Sequence, residues 1–326
     1  MRILLTGASG FIGMHVAAEL AREGAEVRGF SRSEPPVEAA LAEWVRGDVT
    51  DAKAVADALE GCTSIVHVAA LYSYARGDAA RIEAVNVQGT RHVLEAAARR
   101  DSCRVLLTSS SATCGPVPGR AATELDGPPP WELRVPYKRT KLEAERLALA
   151  AARDGLDVMC VNPTTVIGPH DRQPTPSGKI IRALVQGRIK AYMRTAGINV
   201  VGVEDVARGH ALALAHGRPG ERYILGSEDL WLRDAFALTL AAVGRRPPRI
   251  AVPWRVAFGA AVAADALTRV LRREPDLLVL DEVRLARLPL FFSSAKARAE
   301  LGYVPRPAAE TLTAAARWFA EREAND

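Results

Sequence analysis

"LLTGASGFIGMHVAAEL", residues 4–20, hands an apolar run over to a helix through three glycines, Gly7, Gly10 and Gly13. Each glycine answers a different physical demand. One permits a tight turn, one has no Cβ to clash with a pyrophosphate brought against the backbone, and one lets the new helix lie close on its strand. The start of the helix adds unpaired amide donors and positive potential, which suit an anion. With 25 glycines in the chain, the trio alone decides little. The strand before it and the amphipathic helix after it predict a dinucleotide-binding turn.

Outward from this turn the pattern repeats. Short β-branched runs follow at "EVRGF" (26–30), "SIVHVAA" (64–70), "RVLLTSS" (104–110) and "DVMCVNP" (157–163), with helix-like segments beginning near Phe11, Asp51, Ile82 and Tyr137. Apolar strands spaced by helices predict an α/β chain with a doubly wound parallel sheet. The second half is less regular, with a strand at "RYILG" (222–226) and helices near 177–188, 203–217, 230–243 and 308–322. In the last of these, Leu312, Ala316 and Phe319 share one face. Proline-rich stretches at 127–130, 163–176 and 247–253 mark loops, and no internal repeat is present.

The tip of the second strand bears on which dinucleotide binds. An acid there accepts bonds from the adenosine ribose, whereas a 2′-phosphate is repelled by an acid and calls for an arginine. This strand runs into Ser31 and Arg32. The reading is NADP(H), with Arg32 clamping the phosphate; a solvated arginine, with Glu34 or water serving NAD(H), is the alternative.

Tyr137 and Lys141 lie four apart, hence on one helical face, in a chain with only six tyrosines and six lysines among 43 basic residues. They open the helix after the strand that ends in "TSSSATCG", at the sheet edge where ligands of such folds bind. A phenol with a pKa of about 10 is a poor acid-base group at neutral pH. A neighbouring ammonium stabilises the phenolate, so Lys141 is expected to tune Tyr137 while bonding the ribose.

Composition narrows the rest. Among 326 residues, 48% are hydrophobic and 25% charged, as in ordinary globular chains. The formal charge of +5 comes from arginines scattered among Asp and Glu, which argues against a nucleic-acid face. Cys62, Cys103, Cys114 and Cys160 show neither CxxC pairing nor histidines at ligand spacing, so no metal site is expected, and the thiols read as reduced in a cytoplasm. Met1 runs straight into the first strand with no leader pattern. The apolar run "WRVAFGAAVAADALTRVL" from Trp254 carries Arg255, Asp265 and Arg269, so a packed or interfacial helix is expected there and not an integral span.

The ordered set "TGASGFIG", "GDVTD" (47–51), "HVAA" (67–70), "NVQGT" (86–90), "TSSSAT" (108–113), "YKRTK" (137–141) and "NPTTVIGP" (162–169) resembles the extended short-chain dehydrogenase/reductase superfamily across essentially the whole chain. Within it the sequence is most similar to the dihydroflavonol-reductase-like branch, and in "GPHDRQPTPSGKIIRALVQGRIKAY" (168–192) and "GERYILG" (220–226) to hopanoid-associated sugar epimerases. The resemblance implies a Rossmann-type NADP(H)-binding part over 1–165, with returns near 199–226. A smaller, mostly helical substrate-binding part, 166–326, follows discontinuously. It implies that Gly7, Ser9, Gly10, Phe11, Ile12 and Gly13 hold the pyrophosphate, that Asp48 and Val49 contact the adenine, and that Ala69 and Ala70 line the cofactor. It places Pro163, Thr164 and Thr165 at the nicotinamide. It gives Asn86 a supporting role, Ser110 the hydrogen bond to the substrate oxygen with Ser111 as the other candidate, Tyr137 the proton and Lys141 the ribose.

Three features depart from the nucleotide-sugar epimerases of that superfamily. Cys114 stands where a tyrosine is usual, Ser31 stands where an acid is usual, and Gly202 replaces a histidine in "VGVEDVA" (201–207). The expected activity is hydride transfer between nicotinamide and a carbonyl/secondary-alcohol pair of a small molecule. The alternatives are an epimerase or dehydratase, and a dinucleotide sensor without turnover. Tyr72 and Tyr74 are expected to face the substrate, and the loop 169–179, with His170, Asp171, Arg172 and Lys179, to wall it or close over it. A homodimer is the expected assembly.

Overall fold

The computed structural model describes residues 1–270 and 279–325. The first strand, β1 (Arg2–Thr6), shows why the sheet forms: Ile3 and Leu5 bury on one face and Leu4 on the other. The same two-sided burial holds in β2 (Glu26–Ser31), β4 (Ser64–His67), β5 (Arg104–Thr108) and β6 (Val158–Pro163), while β3 (Glu43–Arg46) is a half-exposed edge. These six, with β10 (Arg222–Leu225), make one parallel seven-stranded sheet in the order β10-β6-β5-β4-β1-β2-β3. The chain builds outward from β1 through β3, then returns beside β1 to lay down β4. The reversal opens a crevice at the carboxyl ends of β1 and β4, where ligands of such sheets bind.

Helices cover both faces. On one side α1 (Phe11–Arg22) packs against α7 (Val203–His216) over Ile3, Leu5, Leu106, Val161 and Tyr223. On the other, α2 (Ala52–Ala58), α4 (Gly89–Ala98) and α5 (Pro136–Arg153) cover Leu4, Phe30, Ile65, Val105 and Leu107. The short α3 (Ala79–Glu83) joins α4 through a wider helical turn over Ala84–Gln88. Burying one Leu or Ile here contributes about 1.5–3 kcal/mol, so these clusters fix the register of every strand tip that reaches the crevice.

The second part is built from small pieces. β7 (Thr165–Ile167), β9 (Gly197–Gly202) and β11 (Glu228–Trp231) form a three-stranded sheet, and β8 (Ala191–Met193) pairs with β12 (Ile250–Val252). Around them lie α6 (Pro176–Val185), α8 (Leu232–Ala241), α9 (Trp254–Val270), α10 (Leu280–Leu285), α11 (Ala295–Leu301) and α12 (Ala308–Asn325). Leu312, Ala316 and Phe319 of α12 are fully buried, against Ile167, Ile181 and Val200. Strand β3, the two small sheets, α10 and α11 are elements that periodicity did not predict. Leu271, the last residue of the apolar run that begins at Trp254, lies outside the described residues.

Candidate active site

One cleft of about 1160 Å³ runs along the crevice. At its cofactor end the glycine turn behaves as its sequence demands. Gly7 takes φ +73°, and a Cβ there would stand 2.7 Å from the Ala69 amide nitrogen, while one on Gly13 would meet the Gly7 carbonyl oxygen at 2.0 Å. α1 begins at Gly10 with no side-chain cap and no acid in its first turn. Its first amides therefore face the cleft unpaired, which suits a pyrophosphate. The residues present fit a dinucleotide: Ser9, Gly10, Phe11, Ile12 and Gly13 line the cleft together with Arg32, Asp48, Val49, Ala69 and Ala70. Arg32 is exposed at the tip of β2, and Ser31 turns inward, taking a bond from Trp44 Nε1 at 3.0 Å. Asp48 Oδ1 accepts bonds from the Thr50 amide and hydroxyl, fixing the turn beneath it.

Towards the middle, Tyr137, Lys141, Ser109, Ser110 and Ser111 line the cleft together. Val135 and Pro136 start α5 with no side-chain cap, and the buried ion pair of Lys138 with Glu132 ties that start to the preceding loop. A side-chain hydrogen bond joins Ser110 to Tyr137. Burial raises the Tyr137 pKa and this bond opposes the rise. Lys141 is buried, its Nζ donates to the Thr108 carbonyl at 2.7 Å, and burial pushes its pKa down to about 8. At Tyr137 desolvation outweighs the one bond from Ser110, so the phenol's pKa lies above its ordinary value.

Asn86 stands behind this group and does not line the cleft. Its Oδ1 accepts from the Leu71 amide at 2.8 Å, and its Nδ2 donates to the Leu71 carbonyl and to Thr140 Oγ1, each at 3.2 Å. It therefore pins the loop carrying Ala69 and Ala70 to the helix carrying Tyr137. Pro163, Thr164 and Thr165 line the cleft where β6 ends. The Thr164 hydroxyl is committed to Asn199 Oδ1 at 2.8 Å.

Several contributors had escaped the sequence reading. His67 lies 2.7 Å through Nδ1 from Thr6 Oγ1 and 3.2 Å through Nε2 from Thr90 Oγ1, and Thr90 donates to the Asn86 carbonyl at 2.7 Å. Burial drives the His67 pKa down to about 3, so the ring is a neutral strut. His210 of α7 similarly holds Thr108 Oγ1 at 2.8 Å. Glu145, one further turn along the Tyr137–Lys141 face, receives Arg222 Nη1 at 2.7 Å, Thr113 Oγ1 at 2.9 Å and Asn162 Nδ2 at 2.6 Å. The i, i+4, i+8 spacing was the available signal for it.

The substrate end is aromatic. Tyr72 stacks on Tyr137 with centroids 4.5 Å apart and Tyr74 meets it edge-on at 6.3 Å. Ile180, Val279, Leu285, Leu290 and Phe292 complete an apolar wall, broken by Glu282, whose carboxyl burial pushes up to about 7. Of the loop residues, Asp171 is buried and accepts from the Thr175 amide and hydroxyl, which caps α6. Arg172 pairs with Glu38 across the cleft at 2.8 Å, and His170 lies between the rings of His15 and Trp318. Lys179 is exposed on the cleft lining, and its charge acts on the Glu282 carboxyl. At Gly202 a side chain has no room, since a Cβ would stand 2.7 Å from Asp205 Oδ2 and 2.9 Å from Thr311 Oγ1.

Comparison with known proteins agrees with this geometry. The model of the NAD dependent epimerase/dehydratase family matches residues 3–226. A Synechocystis sp. protein with the provisional name dihydroflavonol 4-reductase is 34% identical over 323 residues, 97% of this chain and 93% of that protein. Sterol demethylase protein B of Methylococcus capsulatus is 34% identical over 327 residues, 99% of each. The crystal structure of gox2253 superposes with a TM-score of 0.85 at 36% identity, covering 98% of both chains.

Proposed function

Because the chain belongs to the NAD dependent epimerase/dehydratase family and is an enzyme of it, we propose that it is an NADP(H)-dependent reductase of a ketone on an apolar small molecule. The observation that carries this reading is the placement of Tyr137 and Ser110 together on the cleft lining, with the Tyr137 ring against Tyr72 at the aromatic end. A bound nicotinamide supplies or takes the hydride. The Ser110 hydroxyl donates to the carbonyl oxygen, and Tyr137 gives that oxygen its proton as negative charge develops. The phenol carries its proton at neutral pH, and the negative charge developing on the carbonyl oxygen draws that proton across. Lys141, anchored to Thr108, holds the ribose and the helix face in register. Asn86 keeps the two walls of the site at fixed spacing.

Reduction is favoured over sugar-nucleotide epimerisation by the lining. A nucleotide sugar brings two phosphates, while the substrate end offers tyrosines, aliphatic side chains and the Glu282 carboxyl, with Lys179 as a cation and Arg172 already paired with Glu38. The relatives' names, a reductase of a dihydroflavonol and a demethylase protein of a sterol, support a ring-bearing apolar substrate. Arg32, exposed and unpaired on the lining, supports a 2′-phosphate on the dinucleotide.

The test is oxidation of NADPH and NADH, followed by absorbance, against a panel of cyclic ketones, with Tyr137→Phe beside the native chain. Turnover of an apolar ketone that Tyr137→Phe lowers by about 10²–10⁴-fold at unchanged NADPH affinity is the expected result. Binding of NADPH with no ketone reduced, and exchange of a sugar hydroxyl's configuration at constant NADPH, would replace this reading with epimerisation.

A further inference from the structure

Among the described residues, nine large apolar side chains stand more than a third exposed, and four of them, Ile250, Val256, Val262 and Leu267, fall within eighteen residues. Scattered singly, such residues mean little; gathered, they mark a surface that meets something. On α9, Val256, Ala260, Ala263 and Leu267 recur at i, i+4, i+7 and i+11, so they form one stripe along the helix, and all are exposed. The opposite side of the helix, Ala257 and Ala261, is buried against Val283 of α10.

Charge tells what the surface fits. Residues 235–264 contain no Asp or Glu, Asp265 being the one acid of α9, and carry Arg245, Arg246, Arg249 and Arg255, all exposed, in the strand approach and first turn of α9. A second copy of this chain is a poor occupant, because a two-fold axis near these four arginines would bring eight of them together with Asp265 as the one acid of α9 to meet them. An anionic lipid surface meets both features, apolar side chains entering the acyl boundary and guanidinium groups meeting phosphates. No helix among the described residues is long and apolar enough to cross a membrane, so α9 would lie on a bilayer. α10 packs on α9 and sends Glu282 and Leu285 into the cleft, which sets this surface one helix from the substrate end.

We propose that α9, with the arginine-rich segment leading into it, docks the enzyme on anionic lipid bilayers with the substrate end of the cleft beside the membrane. The full chain is mixed with extruded vesicles of phosphatidylglycerol and phosphatidylcholine in equal parts, or of phosphatidylcholine alone, and the bound fraction is read by flotation. Two variants at exposed positions accompany it: Val256→Asp with Val262→Asp and Leu267→Asp, and Arg245→Gln with Arg246→Gln, Arg249→Gln and Arg255→Gln. NADPH affinity reports that each folds. The native chain should float with the anionic vesicles, and each variant should lose about tenfold or more of that binding. Failure of the native chain to float, equal flotation with both vesicle types, or aspartates that leave flotation intact would each overturn the proposal. So would aspartates that instead change the oligomeric state in solution, which would assign the face to a second copy.

Discussion

The two ends of one cleft are built on different principles. The cofactor end is made of backbone: a left-handed glycine at Gly7, an uncapped helix start at Gly10, and strand tips whose register is locked by a core on both sheet faces. The substrate end is made of side chains delivered from four separate places, the 72–74 loop, α6, α10 and the stretch around Phe292. Backbone sites tolerate little change, because a glycine has no side chain to trim. Side-chain sites can be rewritten without disturbing the sheet, so specificity belongs there.

The sharpest way to break this contrast is Gly13→Ala. Its methyl would overlap the Gly7 carbonyl oxygen, so dinucleotide affinity by fluorescence titration should drop at least about a hundredfold, roughly 3 kcal/mol. A near-native affinity would show that the turn is softer than its geometry implies. Ser110→Ala is next: kcat for ketone reduction should fall about a hundredfold, with NADPH affinity unchanged. Loss of both together would move Ser110 to the cofactor end. Arg32→Ala should weaken NADPH about tenfold and leave NADH unmoved; equal losses would remove the phosphate clamp. The smallest effect is at Glu282. Its folded pKa of about 7 lies above the ordinary 4.5, so the folded state holds this proton more tightly than the unfolded chain does. That contribution is present at low pH and is lost as pH rises through about 7. Glu282→Gln should therefore gain about 1–3 kcal/mol relative to the native chain between pH 4.5 and 8 in denaturant unfolding. A difference independent of pH would place this carboxyl in water.

The same contrast explains what the sequence disclosed. Glycine spacing, strand-helix alternation and the Tyr137–Lys141 interval are local patterns, and a local pattern can be read along the chain. β3 escaped because three half-buried residues and one exposed residue at a sheet edge need no strong apolar signal. β7, β9 and β11 escaped because strands of three to six residues are defined by partners far away. Glu282 and Phe292 are anonymous in sequence, and only the fold brings them to Tyr72. The i, i+4 spacing also set Lys141 on the phenol's helix face, while its anchor on the Thr108 carbonyl, a contact across 33 residues, needed the fold.

The bridge from Arg172 to Glu38 has its own consequence. It ties the shore that follows β7 to the shore that follows β2, and both its side chains are about half exposed. A clasp of that kind holds with at most about 1 kcal/mol and slackens as ions are added. If a spent dinucleotide leaves past this strap, its departure would be sensitive to ionic strength, and turnover limited by that step would quicken in brine while the chemistry inside stayed the same.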